Sequence, residues 1–222
     1  MKMSESGTRA KLIDPKLTDA GWDIKDRTQV DIEIPVDGYD KEPWNGVTDY
    51  CLYHQSGQVL AIVEAKKTSR HARDGQEQLR IYLQKVSARA DQTFRPFGFM
   101  TNGQDVFYWD SESENPRLVA GFFTRDDLLR LLFLRQNAKP LESASINTSI
   151  VERSYQHEAI RRVIEAFAKK KRRALLVMAT GTGKTRTVMA LIDLFLKTQQ
   201  ARHVLFLADR DALVQHAREY FR

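Results

Sequence analysis

Hydrophobic residues recur in two different patterns along the chain. Up to residue 140, short alternating or apolar runs are interleaved with amphipathic segments of helical spacing. This pattern predicts an α/β sandwich with a mixed central sheet. Further on, apolar runs at 174–179 and 203–208 each precede a helical pattern, which predicts a βαβ unit with buried parallel strands. Residues 141–153 lose the periodicity and are predicted to link domains 1–140 and 154–222.

The first pattern also predicts individual elements. Helical spacing and strand-like runs place helices at 4–20, 72–90 and 124–134, and strands at 28–36, 97–101 and 105–109. Pro15 predicts a break or kink in the first helix, because proline removes a helical hydrogen bond. Asn102-Gly103 is a strong hairpin signal between the last two strands.

One further predicted hairpin, residues 46–67, carries unusual charges. A turn centred on Ser56-Gly57 brings Asp49 opposite Glu64 on one face of the ladder. Lys66 is two residues beyond Glu64 and therefore points to the same face. Facing carboxylates repel, and a divalent cation held between them would relieve that repulsion.

Composition restricts the class of protein. With 222 residues, 42% of them hydrophobic, the chain has enough apolar material for a globular core. Its single cysteine, Cys51, excludes an intrachain disulfide and fits a reducing, cytoplasmic environment. No apolar run approaches the length of a membrane span, and the polar N-terminus has no signal-peptide core.

Positive charge is unevenly distributed. The net charge is +6, and residues 141–222 contribute 15 basic against 8 acidic side chains. Residues 65–95, which begin beside the paired carboxylates, carry 8 basic and 3 acidic side chains. This distribution suits an anionic polymer such as DNA beside the hairpin, although a solvated helix face would show the same run.

The hairpin contains the groups that phosphodiester hydrolysis needs. Asp49, Glu64 and the backbone carbonyl of Ala65 can supply oxygen ligands to a metal ion. Lys66 can orient or deprotonate the attacking water, or stabilise the charge that develops on the phosphate. The arrangement resembles the PD-(D/E)xK nuclease family, with Thr48-Asp49 where that family usually has Pro-Asp.

A further match lies on the predicted helix after the hairpin. Gln78 and Tyr82 are four residues apart, similar to the Gln-x-x-x-Tyr extension of the RecB-like branch of that family. The resemblance implies that both residues lie near the catalytic centre and the DNA. The spacing of Tyr82 with Leu79 and Val86 would equally suit a core position.

Residues 178–185, MATGTGKT, form a glycine-rich turn between an apolar run and a helical pattern. This is the context of a P-loop, in which backbone amides at a helix N-terminus bind phosphates. Lys184 would reach the β- and γ-phosphates of ATP, and the Thr185 hydroxyl would bind Mg²⁺. The remaining expected nucleotide-binding residues of the loop are Thr180, Gly181, Thr182 and Gly183.

The loop and its flanks resemble superfamily-2 helicases. Met178 stands where the general P-loop pattern has its first glycine, a departure compatible with motif I of these motors. Tyr155-Gln156 resembles the Q motif, whose glutamine reads adenine, although Gln156 could simply cap its helix. Residues 206–217 resemble motif Ia, which contacts the DNA backbone, although Asp209-Arg210 could equally be a surface pair.

The order of these parts resembles the R subunit of type I restriction enzymes. Two sequence segments agree with this resemblance: ESGTRAKLIDPKL near the start and FMTNGQDVFYWD near residue 105. The resemblance implies a Mg²⁺-dependent endonuclease domain, the first part of a RecA-like P-loop domain, and an ATP-driven motor on double-stranded DNA. It further implies a methyltransferase (M) and a specificity (S) subunit as partners, and Glu5 as an auxiliary acidic residue of the nuclease site.

Two other readings stay open at this point. The domain could be a nuclease-like DNA-binding module without catalysis, or the chain could belong to a helicase-nuclease outside restriction, in repair or phage defence. Because the Asp-Glu-x-His/Asp motif and a second motor domain are absent from these 222 residues, we expect no ATP turnover from them alone.

Overall fold

The computed structural model describes residues 5–35, 46–208 and 211–220. The side chain of Glu5 and the pair Asp209-Arg210 lie outside this description. The chain divides into two compact units, Met1–Arg130 and Leu131–Arg222. No described helix is both long and apolar enough to cross a membrane.

The first unit opens with a helix of mixed geometry. It consists of α1 (Glu5–Thr8), a π-helical turn (Arg9–Ile13) and α2 (Asp14–Asp19). Pro15 lies in the first turn of α2, where its missing N–H is tolerated. The irregularity predicted near Pro15 is therefore present, and it takes the form of a widened turn just before the proline.

A six-stranded sheet follows, with the strands in chain order. Its elements are β1 (Val30–Pro35), β2 (Val47–Tyr53), β3 (Val59–Ala65), a 3₁₀ turn (Ala72–Gly75), α3 (Gln76–Ser87), β4 (Phe97–Thr101), β5 (Val106–Trp109) and β6 (Arg117–Val119). Only β3 and β4 pair in parallel, and α3 connects them. The mixed central sheet predicted for this part is confirmed. The three-residue strand β6 was not predicted, because so short a run carries no measurable alternation.

The β2–β3 hairpin has the predicted register, but its turn is different. Tyr50 pairs with Val63 and Leu52 with Ala61, as a turn centred on Ser56-Gly57 would require. Nearer the turn, however, Tyr53 pairs with Val59, so the turn is centred on Ser56. A register shift between Leu52 and Tyr53 compensates for the difference. The assumed turn was therefore wrong by half a residue, while the pairing at the far end of the hairpin was right.

One hydrophobic cluster of the first unit lies between the sheet and α3. Buried side chains from β2 to β5 meet one face of the helix, formed by Leu79, Tyr82, Leu83 and Val86. A β-carbon at Gly98 on β4 would lie 2.7 Å from Cδ2 of Leu79, so glycine lets the helix approach closely. This close contact fixes the position of α3 relative to the ends of β2 and β3.

The second unit is helical. It contains the end of α4 (Arg125–Asn137), a 3₁₀ turn (Leu141–Ser143), α5 (Ser154–Ala168), α6 (Lys184–Lys197) and α7 (Asp211–Tyr220). Its core includes Ile160 and Ile164 of α5 and Leu194 of α6. Leu141 and Val151, from the segment predicted as a linker, are buried in the same core. The assignment of functional domains to 1–140 and 154–222 stays a prediction.

The structure does not form the two parallel strands predicted in this unit, so that prediction is wrong. Residues 174–179 and 203–208 have no ladder pairing, and within the described residues the unit contains no strand. Leu175 and Val177 are 87% and 89% exposed. Extended parallel segments need lateral neighbours to satisfy their backbone groups, and neither segment has one here.

Candidate active site and phosphate-binding loop

β2 and β3 place two carboxylates side by side. The observed ladder ends at Tyr50 and Val63, and counting one residue further along each strand places Asp49 opposite Glu64. Oδ2 of Asp49 accepts a hydrogen bond from the backbone N–H of Ala65 at 2.8 Å. The Glu64 side chain is 1% exposed, whereas that of Asp49 is 18% exposed. The pair is therefore reached from solvent through Asp49.

Lys66 joins this pair to α3. Its Nζ donates to Oε1 of Glu64 at 2.6 Å and to Oε1 of Gln78 at 3.0 Å. Nε2 of Gln78 donates in turn to the hydroxyl of Tyr82 at 2.7 Å. Four of the predicted site residues thus form one continuous chain of hydrogen bonds. The ring of Tyr82 is buried in the core, as its spacing allowed, while its hydroxyl accepts the bond from Gln78; a catalytic role for Tyr82 stays a prediction.

Two glycines that had not been predicted lie against this chain of hydrogen bonds. A β-carbon at Gly75 would be 2.6 Å from Cγ of Glu64 and 3.1 Å from Cε of Lys66. A β-carbon at Gly46 would be 2.5 Å from Cε1 of Tyr82, and its φ of +144° is one that other residues rarely adopt. Only glycine leaves room for the site at these two positions.

Arg9, in the π-helical turn, was also not predicted. Its Nη1 lies 3.3 Å from Oδ1 of Asp49, and its Nη2 lies 2.6 Å from Oε1 of Glu33 on β1. Burial opposes the charge, but the bond to Glu33 and the nearby carboxylates outweigh it, so the pKa of Arg9 is raised. Arg9 stands in the opening phrase that carries the family resemblance, yet no periodicity relates it to a partner 40 residues away.

The donor set fits a hard divalent cation. Asp49 and Glu64 offer carboxylate oxygens, which Mg²⁺ prefers. Across residues 5–35, 46–208 and 211–220, no cluster of three or more His, Cys, Asp or Glu side chains is placed to hold a metal. Mg²⁺ usually keeps several waters and binds through one or two carboxylates, so two are sufficient. The Ala65 carbonyl stays a predicted third ligand.

Exposed basic side chains follow the site along the chain. Three lie between the site lysine and α3: Lys67, Arg70 and Arg73. Two others pair with acidic neighbours on the surface: Arg80 with Glu77, and Arg89 with Asp91. The basic run is therefore divided. Arg80 and Arg89 belong to a paired surface, while Lys67, Arg70 and Arg73 directly follow the carboxylate-bearing strand along the chain.

In the second unit, the glycine-rich loop leads directly into α6. Gly181 and Gly183 have φ values of +79° and +82°, which glycine adopts readily. Nζ of Lys184 lies 3.3 Å from the carbonyl oxygen of Met178 and 3.1 Å from that of Ala179. The ammonium group is thus folded over carbonyls of its own loop. Thr180 is exposed in the turn, and Thr185 lies in the first turn of α6.

Gln156 contacts the loop itself. Its Nε2 lies 3.2 Å from the carbonyl oxygen of Thr182 and 3.4 Å from that of Gly183. Its Oε1 accepts from the backbone N–H of Arg153, which caps the start of α5. A β-carbon at Gly183 would lie 2.5 Å from Nε2 of Gln156. Gln156 therefore caps its helix and supports the loop; the reading of adenine stays a prediction.

Two protein-family models match the chain. Residues 39–117 match the family described as Type I restriction enzyme R protein N terminus (HSDR_N), and residues 149–222 match Type III restriction enzyme, res subunit (ResIII). The first match contains the carboxylate pair, Lys66 and Gln78. The second contains the glycine-rich loop.

Two curated relatives agree with the first model. The chain is 30% identical over 239 residues to the Type I restriction enzyme EcoAI endonuclease subunit of Escherichia coli, covering 97% of this chain and 28% of that protein. It is 45% identical over 65 residues to the Type I restriction enzyme EcoKI endonuclease subunit of Escherichia coli strain K12, covering 29% and 6% respectively. The chain thus spans only a minor part of each relative it matches.

A solved structure shows the same fold. It is a fragment described as an HsdR subunit of a type I restriction enzyme from Vibrio vulnificus YJ016, 23% identical, with a TM-score of 0.50. The match covers 90% of this chain and 39% of that one. Fold and matches define a restriction-endonuclease-like α/β domain followed by the start of a helicase-type P-loop domain. The chain resembles an N-terminal part of the R subunit of type I restriction enzymes, and residues 39–117 match the N-terminal family of that subunit.

Proposed function

We propose that the first unit cleaves DNA by Mg²⁺-dependent phosphodiester hydrolysis, as part of a type I restriction enzyme. The observation that supports this most directly is the cluster of Asp49, Glu64, Lys66 and Gln78. These residues come from β2, β3 with the residue that follows it, and α3, and distances of 2.6 Å and 3.0 Å join Lys66 to Glu64 and Gln78. A chain that needed only a stable sheet would have no reason to bury Glu64 among apolar strands.

Each residue of the cluster has a separate task in this proposal. Bound Mg²⁺ would neutralise the scissile phosphate and acidify the attacking water. Asp49 and Glu64, with the Ala65 carbonyl, would hold the cation. Lys66, fixed between Glu64 and Gln78, keeps a positive group beside the position of the phosphate and can orient the water. Tyr82 fixes the Gln78 amide through its hydroxyl.

The substrate proposed for this site is double-stranded DNA. Lys67, Arg70 and Arg73 are exposed in the segment that follows the carboxylates along the chain, and they can contact the phosphate backbone. The names of the curated relatives favour restriction over repair or other phage defence as the setting. A methyltransferase (M) and a specificity (S) subunit are the proposed partners.

The second unit is proposed to begin an ATP-driven DNA translocase. Residues 180–185 would hold the phosphates of ATP, with Lys184 moving from the loop carbonyls onto them and Thr185 holding its Mg²⁺. Gln156 would place the loop and read adenine. These 222 residues are expected to bind nucleotide without turning it over.

Cleavage by the assembled enzyme tests the nuclease assignment. Plasmid cleavage is measured with ATP and Mg²⁺ for wild type, Asp49→Ala and Lys66→Ala, with Asp91→Ala as an exposed acidic control. We expect both site variants to lose on the order of 10²-fold or more in rate, and the control to match wild type. ATP hydrolysis by the same preparations should be unchanged, because the changes lie outside the second unit.

Equal cleavage rates of wild type and both site variants would contradict the nuclease assignment. Intact DNA binding without cleavage in wild type, whether or not Mg²⁺ is present, would favour a nuclease-like binding module instead. Lys184→Ala provides the complementary test. It should abolish ATP hydrolysis by the assembled enzyme, and retained hydrolysis would remove the P-loop assignment.

A further inference from the structure

Three carboxylates lie on consecutive strands at one level of the sheet. β1 pairs with β2 through Ile32–Tyr50 and Ile34–Thr48, and this register brings Glu33 opposite Asp49. The register of β2 with β3 then brings Asp49 opposite Glu64. Like charges at directly opposed positions repel. The row therefore requires positive charge between or beside its members.

Two cations meet this requirement in different ways. Lys66 contacts Glu64 at 2.6 Å. Arg9 reaches Glu33 with Nη2 and Asp49 with Nη1, so a single guanidinium serves two carboxylates. The planar fork of arginine suits such a double contact, which a lysine could not reproduce. The side chains of Arg9 and Asp49 are each only 18% exposed, so water screens their attraction less than at an open surface.

The backbone at Glu33 is unusual in the same place. Its φ is +57°, a left-handed value in the middle of a strand, and the cross-strand pairing skips this residue. Left-handed backbone is disfavoured for residues other than glycine, and such positions cluster at functional sites. Here the departure coincides with the contact between Nη2 of Arg9 and Oε1 of Glu33. Glu33 is thus held in a disfavoured conformation beside the arginine.

We propose that Arg9, anchored by Glu33, is a positioning residue that neutralises Asp49 before a divalent cation binds and so sets the cation affinity of the site. The inference rests on the proposed metal-dependent nuclease function. Oδ2 of Asp49 already accepts a hydrogen bond from Ala65, so a cation that binds through Oδ1 must share this oxygen with Arg9 or displace the arginine. The site is consequently weaker for Mg²⁺ than two buried carboxylates alone would be.

Changing the two partners should move cation affinity in opposite directions. Arg9→Gln removes the competing charge, and the cation affinity should increase about three- to tenfold. Glu33→Gln frees Arg9 to pair with Asp49 alone and removes a negative charge, so affinity should fall. Lys11→Gln serves as the matched control, because Lys11 is an exposed cation on the same helical segment. A purely structural role for Arg9 would not produce effects of opposite sign.

The measurement is Mn²⁺ binding to the 222-residue chain by isothermal titration calorimetry, with thermal unfolding as a second readout. Without metal, Arg9→Gln should have a lower Tm than wild type, and saturating Mn²⁺ should narrow that gap. Arg9→Lys keeps the charge but cannot make both contacts, so its Mn²⁺ affinity should lie between those of wild type and Arg9→Gln. Lys11→Gln should match wild type in both readouts.

The variant Asp49→Asn distinguishes a failure of the proposed metal site from a failure of the proposed role of Arg9. If Asp49→Asn binds Mn²⁺ as wild type does, the metal site and the inference both fail. If Asp49→Asn loses binding while folded Arg9→Gln binds no more tightly than wild type, only the role of Arg9 is overturned. If Arg9→Gln fails to fold, Glu33→Gln tests the role of Arg9 instead. The Glu33 side chain is 62% exposed, so this variant should fold. Unchanged or tighter Mn²⁺ binding by Glu33→Gln contradicts the proposal.

Discussion

Individual residues of the site are confined by close packing, since a β-carbon at Gly75 would lie only 2.6 Å from Cγ of Glu64. Gly75 precedes α3 and faces the side chains of Glu64 and Lys66. Glu64 is buried within the sheet and has little freedom to move. A methyl group at position 75 would therefore displace the carboxylate and the ammonium together.

Gly75→Ala is expected to damage the site as well as the fold. Overpacking of this kind costs about 1–3 kcal/mol in the free energy of unfolding, and the displaced Glu64 should weaken Mn²⁺ binding severalfold. Gly121→Ala is the matched control, because a β-carbon there meets nothing within 4 Å. Denaturant unfolding and calorimetry measure both effects. Equal stability and Mn²⁺ affinity in the two variants would contradict the packing argument.

The buried thiol of Cys51 should make the stability of the protein depend on pH. Burial raises the pKa of its thiol from 9.0 to about 11, while a hydrogen bond with Thr48 acts in the opposite sense. The native state therefore retains the proton after the unfolded chain has lost it. The stability that depends on the protonated thiol is fully present below pH 9.0 and is lost as pH rises through about 11.

The free energy of unfolding should accordingly fall by about 2–3 kcal/mol more in wild type than in Cys51→Ala over this interval. Chemical denaturation at a series of pH values measures the difference between the two proteins. The comparison with Cys51→Ala removes the contribution of the buried tyrosines. Parallel stability curves for wild type and variant would show that the thiol titrates normally.

At the scale of elements, α3 connects the hydrophobic core to the chemistry. One face of the helix packs on the sheet, and Gly98 allows that contact to be close. The same helix presents Gln78 to Lys66, and Tyr82 to Gln78. The position of the lysine therefore depends on how the helix is packed. Substitutions on α3 can separate these two contributions.

Tyr82→Phe should keep the packing and lose the hydrogen bond. We expect a change of about 1 kcal/mol in the free energy of unfolding and a measurable loss of cleavage, smaller than for Lys66→Ala. Gln78→Ala should lower cleavage further, because it removes the contact to Lys66. Gln84→Ala, on an exposed position of the same helix, is the control. Wild-type cleavage rates in both Tyr82→Phe and Gln78→Ala would remove the helix from the mechanism.

At the scale of the whole chain, the two units differ in how their apolar segments are covered. β3 is buried along its full length within six strands. The segments 174–179 and 203–208 are as apolar, yet Leu205 and Leu207 are 82% and 80% exposed. Neither segment has a strand beside it. The local stability of the two units should differ accordingly.

Hydrogen exchange of the 222-residue chain should show this difference. Backbone amides of 174–179 and 203–208 lack ladder partners and should exchange fast, while those of β3 should exchange slowest. Peptide-level mass spectrometry measures both in one experiment. Protection of 174–179 comparable to that of β3 would mean that these segments pair in solution.

Local sequence patterns alone predicted much of the candidate site. Alternation and turn chemistry placed Asp49 opposite Glu64 and Lys66 beside them, because side-chain direction in a strand depends only on the count of residues. Helical spacing placed Gln78 and Tyr82 on one side of α3, and the glycine-rich loop was evident from its composition. Each of these relations depends only on residues within a short stretch of the chain.

Tertiary structure decided the remainder. The turn is centred on Ser56 and a register shift corrects for it, which no local rule foresees. Arg9, Glu33 and Gly75 enter the site through contacts between distant elements, and no local spacing relates them to their partners. The apolar run at 174–179 reads as a buried strand, but a strand exists only where another segment accepts its hydrogen bonds. Sequence determined the direction of the side chains, and the fold determined their neighbours.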